Sequence, residues 1–206
     1  MKRLSYLVLA LMLSVAAQGQ DTDSVASKPW SFNPDLNFYL IPDDFFVLPL
    51  MKADWKWLHL EARYNYEDRE TFSGWVGYNF AGGKKLEYTI TPMVGGAFGL
   101  TQGFTTGLEL TLSLGRFELY SEAEYLFDLE TTENNFFYNW SDISYSPTDW
   151  LWVGISAQRT KLYETDLDLQ RGILVGAGFK SWEVTTYVYN IGSDNPFVLL
   201  AFSAFF

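Results

Sequence analysis

The sequence predicts an all-β protein: a membrane-spanning up-and-down antiparallel β-barrel of twelve strands, with ten as the alternative. Three observations predict it. Apolar and polar residues alternate from Asp35 to Phe206, the connections between the alternating segments are mostly short and long by turns, and the chain opens with a leader of the export type. Period-two alternation places one kind of side chain on each face of an extended strand. Leu58, Leu60, Ala62, Tyr64 and Tyr66 interleave with Trp57, His59, Glu61, Arg63 and Asn65. Leu108, Leu110, Leu112 and Leu114 interleave with Gly107, Glu109, Thr111 and Ser113. Beyond the leader no stretch carries convincing helical periodicity.

Composition narrows the classes. A chain of 206 residues is one domain by default. A hydrophobic share of 48% with 8 Trp, 13 Tyr and 17 Phe excludes intrinsic disorder. The absence of Cys excludes a disulfide framework, a Cys-ligated metal and a thiol nucleophile. A net charge of -11 would repel phosphates, so no nucleic-acid partner is expected.

Met1-Lys2-Arg3 is positive, Tyr6 to Ala17 is mainly apolar, and small residues follow at Ala16, Ala17 and Gly19. That order is the layout of a secretory signal peptide. The run falls short of the ~20 residues that a spanning helix needs. The expected organisation is therefore residues 1–19 as signal peptide, 20–34 as a mobile periplasmic leader, and 35–206 as the transmembrane barrel.

Twelve strands are expected near Asp35–Ile41, Phe45–Met51, Lys56–Tyr66, Thr71–Phe80, Leu86–Phe98, Thr105–Leu114, Phe117–Asp128, Phe136–Ser144, Trp150–Thr160, Gly172–Phe179, Glu183–Tyr189 and Phe197–Phe206. The first is the weakest, because Pro42 and Pro49 lie in this region and proline removes a ladder donor. Short connections are expected at Ala53-Asp54, Gly82-Gly83, Gly115-Arg116, Pro147-Thr148 and Lys180-Ser181. Longer ones are expected near Glu67–Glu70, Leu100–Gly103, Leu129–Asn135, Lys161–Arg171 and Asn190–Pro196. Trp55, Trp57, Trp150, Trp152 and Trp182 flank the short turns, where an aromatic girdle would mark a membrane border. Strict alternation turns Trp57 and Trp152 inward instead.

The final segment runs Phe197-Val-Leu-Leu-Ala-Phe-Ser-Ala-Phe-Phe206, with Phe206, Ala204, Phe202, Leu200 and Val198 on one face. Together with the export leader it resembles the bacterial outer-membrane β-barrel class, in its small porin-like form, whose last strand ends in an aromatic residue. The resemblance implies that Phe206, Ala204 and Phe202 serve as the signal read by the barrel assembly machinery. It implies a place in the outer membrane, with membrane lipid and lipopolysaccharide as neighbours. Leu199, Ala201 and Phe205 make the opposite face apolar too, so the wall is expected to pack inward there. A sheet closed with its greasy face outward satisfies every backbone group within lipid. The reverse closure, a soluble ligand-binding barrel, fits poorly with twelve strands and a terminal Phe.

The expected function is a narrow channel for small solutes or cations. A structural or surface-binding barrel without a pore is the alternative, and a lipid hydrolase using His59 is a third reading. Candidate lumen and selectivity residues are His59, Glu61, Arg63, Glu87, Glu109, Glu118, Glu122, Glu124 and Asp128. Rings of carboxylates favour cations in channels. Hydrolysis would need a nucleophile beside the base. No Ser stands at 57 or 61, so it would have to come from across the strands, as Ser73 would. His59 and Glu61 are the only catalytic candidates, and a lumen charge network accounts for them as well. Lys161, Arg159 and Arg171 are candidates for an outer rim meeting lipopolysaccharide phosphates. Tyr138, Trp140, Trp75, Tyr187 and Tyr189 are expected to point inward. Gly95, Gly96, Gly99, Gly176 and Gly178 permit bends or close backbone approach. No metal site and no cofactor are expected, and the solute is left open.

Overall fold

The computed structural model describes residues 30–160 and 169–206. The expected signal peptide, most of the expected leader, and Lys161 lie outside the described residues. The strands are β1 (Ser31–Ile41), β2 (Asp44–Trp55), β3 (Leu58–Tyr64), β4 (Phe72–Tyr78), β5 (Phe80–Gly83), β6 (Leu86–Phe98), β7 (Gly103–Leu114), β8 (Phe117–Asp128), β9 (Phe136–Tyr145), β10 (Leu151–Arg159), β11 (Gln170–Phe179), β12 (Trp182–Tyr189) and β13 (Phe197–Ala204).

The pairings join these pieces into a closed, twelve-stranded antiparallel barrel. β4 and β5 are one strand interrupted at Asn79. Phe72 pairs with Phe98, and Phe80 pairs with Ile90, in one unbroken register. The gap falls where Pro92 of β6 offers no N–H to the ladder. Asn79 keeps its place by donating its N–H to the Trp57 carbonyl at 2.7 Å.

β1 forms despite its prolines, and it begins at Ser31, four residues ahead of the expected position. It pairs with β2 along its whole length and with β13 from Asp35 to Leu40. The same register sets Pro34 opposite Ala204. The Asn33 side-chain amide donates to the Ala204 carbonyl at 2.8 Å, replacing the bond that Pro34 cannot make. The chain end completes the seam: Phe32 and Phe206 exchange two backbone hydrogen bonds of 3.0 Å. A closed cylinder leaves no edge strand, which the apolar medium around it requires. No helix of the described residues is long and apolar enough to cross a membrane.

The side chains divide as the alternation predicts. Leu40, Val76, Ile90, Val94, Leu108, Ile143, Ile155, Ile173, Val175 and Phe202 stay exposed on the outer face. His59, Glu61, Arg63, Trp75, Glu109, Tyr138, Trp140, Tyr187, Tyr189 and Leu199 are buried in the lumen. Both ends of the described chain lie at the rim of the mostly short turns, the periplasmic rim in barrels of this kind. The connections at Pro42-Asp43 and Ser146–Trp150 break the alternation, being short and longer than expected.

The rim of the mostly short turns carries an aromatic border. Trp30 stacks on Trp55 at 5.9 Å, Trp57 on Tyr78 at 5.2 Å, and Phe206 packs edge-on to Trp182 at 6.1 Å. Trp57 belongs to this border rather than to the lumen, because the turn is Lys56-Trp57 and alternation stops there. Trp152 does point inward. It lies flat against Gly176, where an added Cβ would stand 2.1 Å from the indole. Gly95 makes the same recess for Trp75, with 2.6 Å to the ring. These two glycines serve close approach of a side chain to the wall, not a bend.

Candidate functional site

The lumen is the candidate site, and it has two chemically different walls. The first is built on β2, β3, β7 and β8. β3 projects His59, Glu61 and Arg63 to the same side at successive alternate positions, and across the lumen β8 presents Glu122 and Glu124. Arg63 is the centre. Its Nε donates to Glu61 at 2.5 Å and its Nη1 lies 2.8 Å from Glu122. It also pairs with Glu124, and its Nη1 stands 3.8 Å from Glu67. The guanidinium lies over the rings of Tyr66 at 4.3 Å and Trp75 at 4.8 Å, a geometry that suits its planar charge.

Lys52 joins the group from β2, 2.5 Å from Glu109 and 3.5 Å from Glu61. His59 has both ring nitrogens against carboxylates, Nδ1 at 2.8 Å from Asp54 and Nε2 at 2.7 Å from Glu61. The Ser73 hydroxyl instead donates to Glu67 at 2.5 Å. His59 thus sits in an ion-pair group inside the barrel, turned away from lipid. One atom each of His59, Glu61 and Glu109 lies within 4.8 Å of the others, a spacing a metal ion would accept. Lys52 already holds Glu109 and Glu61 there.

The second wall comes from β1, β9 and β11 to β13, with Phe46, Leu48 and Leu50 of β2 packed against it. Tyr39 stacks on Phe46 at 4.7 Å, Tyr189 on Phe197 at 4.9 Å, and Trp140 meets Tyr187 edge-on at 5.4 Å. Tyr187 and the Trp140 indole donate to the two Asp142 oxygens at 3.0 and 2.9 Å. Tyr189 and Leu199 are fully buried, so the terminal strand packs inward as its doubly apolar sequence predicts.

Toward the periplasmic rim the two walls separate around a cavity of about 550 Å³. Its lining includes Asp35, Glu118, Glu122, Asp142, Asp149 and Glu183, with Lys52 as the one basic residue among the lining groups. Leu50, Tyr66, Leu174 and Tyr187 lie at its inner end.

Of the sequence candidates, the fold gathers His59, Glu61, Arg63, Glu109, Glu122 and Glu124 into one group. Glu118 lies apart, in the cavity. Glu87 is exposed on β6 opposite Ser113. Asp128 sits at the outer end of β8 and accepts from the Glu130 and Thr131 N–H groups at 2.9 Å, so it caps a turn. Arg159 donates to the Phe137 carbonyl at 2.6 Å on the exposed surface, and Arg171 is exposed nearby. Sequence reasoning passed over Lys52 and Asp54, because it set the second turn at Ala53-Asp54. β2 continues to Trp55, and its alternation turns both residues inward. The same reasoning set Tyr66 at the end of the strand, on the outward apolar row, and passed over Glu67, whereas β3 stops at Tyr64 and both residues belong to a connection buried in the lumen. No local pattern announces that a connection will fold into the lumen.

No protein-family model matches the chain, and no curated protein sequence matches it. Solved structures do. The KdgM porin aligns with a TM-score of 0.60 at 12% identity, covering 84% of this chain and 98% of the porin. A second structure, of the KdgM porin in complex with disordered oligogalacturonate, aligns with the same values. Outer membrane phospholipase A from Escherichia coli aligns with a TM-score of 0.48 at 9% identity over 90% of this chain and 94% of that one, too distant to inform function. Closed strands, greasy exterior and shared fold agree: the chain has the fold of a small, porin-like outer-membrane β-barrel, and its likeness to the solved porin is one of fold.

Proposed function

We propose that the protein is a narrow outer-membrane channel for small solutes that prefers cations. One observation carries the reading. The cavity inside the periplasmic rim is lined by six carboxylates, Asp35, Glu118, Glu122, Asp142, Asp149 and Glu183, against Lys52. A low-dielectric wall focuses such a charge onto the pore axis and concentrates counter-ions there. Oligogalacturonate, named with one of the porin structures, is a polyanion, and this lining would repel it. The acceptable solutes are therefore small cations and neutral molecules.

The test is reversal potential in a planar bilayer under a potassium chloride gradient. A cation-selective current supports the reading, and an anion-selective current overturns it. A specific observation favours a second reading, a barrel without a pore: Tyr39, Leu48, Tyr189 and Leu199 fill the outer half of the lumen at no more than 2% exposure. That reading expects no current above background from folded protein.

The terminal strand supports the accompanying steps. Its outward Val198, Leu200, Phe202 and Phe206 and its pairing with β1 suit recognition by the barrel assembly machinery and closure as the last event of insertion. Lipopolysaccharide is the outer-leaflet neighbour expected of such a barrel, and the N-terminal segment serves export.

A further inference from the structure

The connection between β3 and β4 behaves unlike two others at the outer rim. Leu129–Asn134 and Ile191–Pro196 are exposed throughout. Tyr66 and Glu67, by contrast, retain 4% and 1% exposure. Tyr66 stands at the joint between the two lumen walls. Its hydroxyl donates to Glu122 of the charged wall at 2.7 Å, and it accepts from the Tyr138 hydroxyl of the aromatic wall at 3.0 Å. Glu67 accepts from Ser73 and lies 3.1 Å from the Trp75 indole nitrogen, while its second oxygen is buried without a hydrogen-bond partner.

This inward position is held against a cost. Asn65 and Glu70, at the two ends of the connection, both adopt left-handed backbone, with φ of 59° and 53°. That conformation disfavours residues other than glycine, by roughly 1 kcal/mol at Glu70 and less at Asn65, since Asn adopts it more readily. The ends are tied to the wall, where the Asn65 side-chain amide donates to the Val47 carbonyl and its N–H to the Thr71 carbonyl, both at 2.9 Å, and the fastening between them lies near the surface. Arg69 pairs with Asp44, both side chains about two-fifths exposed, and its guanidinium sits 5.0 Å from the Phe46 ring. The Thr101 hydroxyl donates to Asp68 at 2.5 Å.

We propose that the β3–β4 connection is the gate of the pore: a segment that swings about Asn65 and Glu70, closes the joint between the walls with Tyr66, and is latched at the outer rim by Arg69 on Asp44. This rests on the channel reading above. Strain at both ends and an unsatisfied buried oxygen favour release. The lumen contacts and the rim latch oppose it. An exposed ion pair weakens with salt, so the latch responds to the medium outside the cell.

Single-channel recording of the refolded full barrel in potassium chloride tests this. Arg69→Ala raises the ratio of open to closed time by roughly fivefold if the latch is worth about 1 kcal/mol. Tyr66→Ala leaves the closed state leaky and raises the open fraction. Asp68→Cys combined with Thr101→Cys, in a chain that has no other cysteine, silences the pore when oxidised and restores it on reduction. If Tyr66→Ala and Arg69→Ala conduct as the parent does, or if the oxidised pair conducts as the reduced one does, the gate is wrong and the channel stands. If no folded variant carries current, the channel reading falls and the gate falls with it.

Discussion

The charged and the aromatic walls of the lumen fill the same kind of space by opposite means. On the β2, β3, β7 and β8 side, Arg63 and His59 are buried, and Lys52 half-buried, among Glu61, Glu109, Glu122 and Glu124. Such a group gains little net stability, since desolvation offsets most of the attraction. It gains geometry, because each charge has one place where it is tolerated. On the other side, Tyr39, Phe46, Tyr187, Tyr189 and Phe197 stack. Ring pairs contribute about 0.5–1.5 kcal/mol each beyond the area they bury. The contrast teaches that one wall sets position and the other supplies adhesion, and Tyr66 bridges them.

The largest expected effect lies in the charged wall. Arg63→Met removes the only guanidinium among four buried carboxylates, and a loss of about 3–5 kcal/mol is expected from breaking such a group. Unfolding in urea, followed by the heat-modifiable gel shift of detergent-folded barrels, measures it. A loss below ~1 kcal/mol would show that Arg63 does not organise this wall.

Next comes the aromatic wall. Leu199→Ala, at a fully buried position, is expected to cost about 2–4 kcal/mol by the cavity it leaves. The same unfolding experiment reads it, and the conductance of the variant should rise. Unchanged stability would place the filling elsewhere.

A smaller effect separates charge from adhesion. Glu118→Gln and Glu183→Gln alter the cavity and not the Arg63 group. They should lower cation preference in the reversal-potential experiment while stability stays within ~0.5 kcal/mol. Cation selectivity equal to the parent's would remove these carboxylates from the permeation path.

The smallest is at the exposed mouth of the cavity. Asp149→Asn breaks the exposed pair with Arg116, 3.3 Å apart, and should change stability by less than ~0.5 kcal/mol. A change above ~2 kcal/mol in urea unfolding would mean that ion pairs at the rim carry as much weight as those in the lumen.

Much of the barrel was legible. The alternation from Leu58 to Tyr64 and from Phe117 to Asp128 assigns inside and outside residue by residue, because a strand repeats every two positions whatever its neighbours are. The inward Tyr138, Trp140, Trp75, Tyr187 and Tyr189 follow from the same count. The errors sit at turns. Lys52 and Asp54 were hidden by a turn set three residues early. Trp57 had two readings, girdle or lumen, because period-two counting was carried into a turn, and the girdle holds.

The sequence alone determined the greasy exterior and the doubly apolar final strand and favoured twelve strands over ten, all products of local periodicity, and barrel closure settled the count. Tertiary structure decided which charges meet. Arg63 finds Glu124 across the lumen, 61 residues away, and Tyr66 finds Tyr138 at a separation of 72. Those encounters depend on barrel closure, stagger and the inward fold of one connection. No repeat along the chain encodes them, because their partners come from strands that are not neighbours in the sheet.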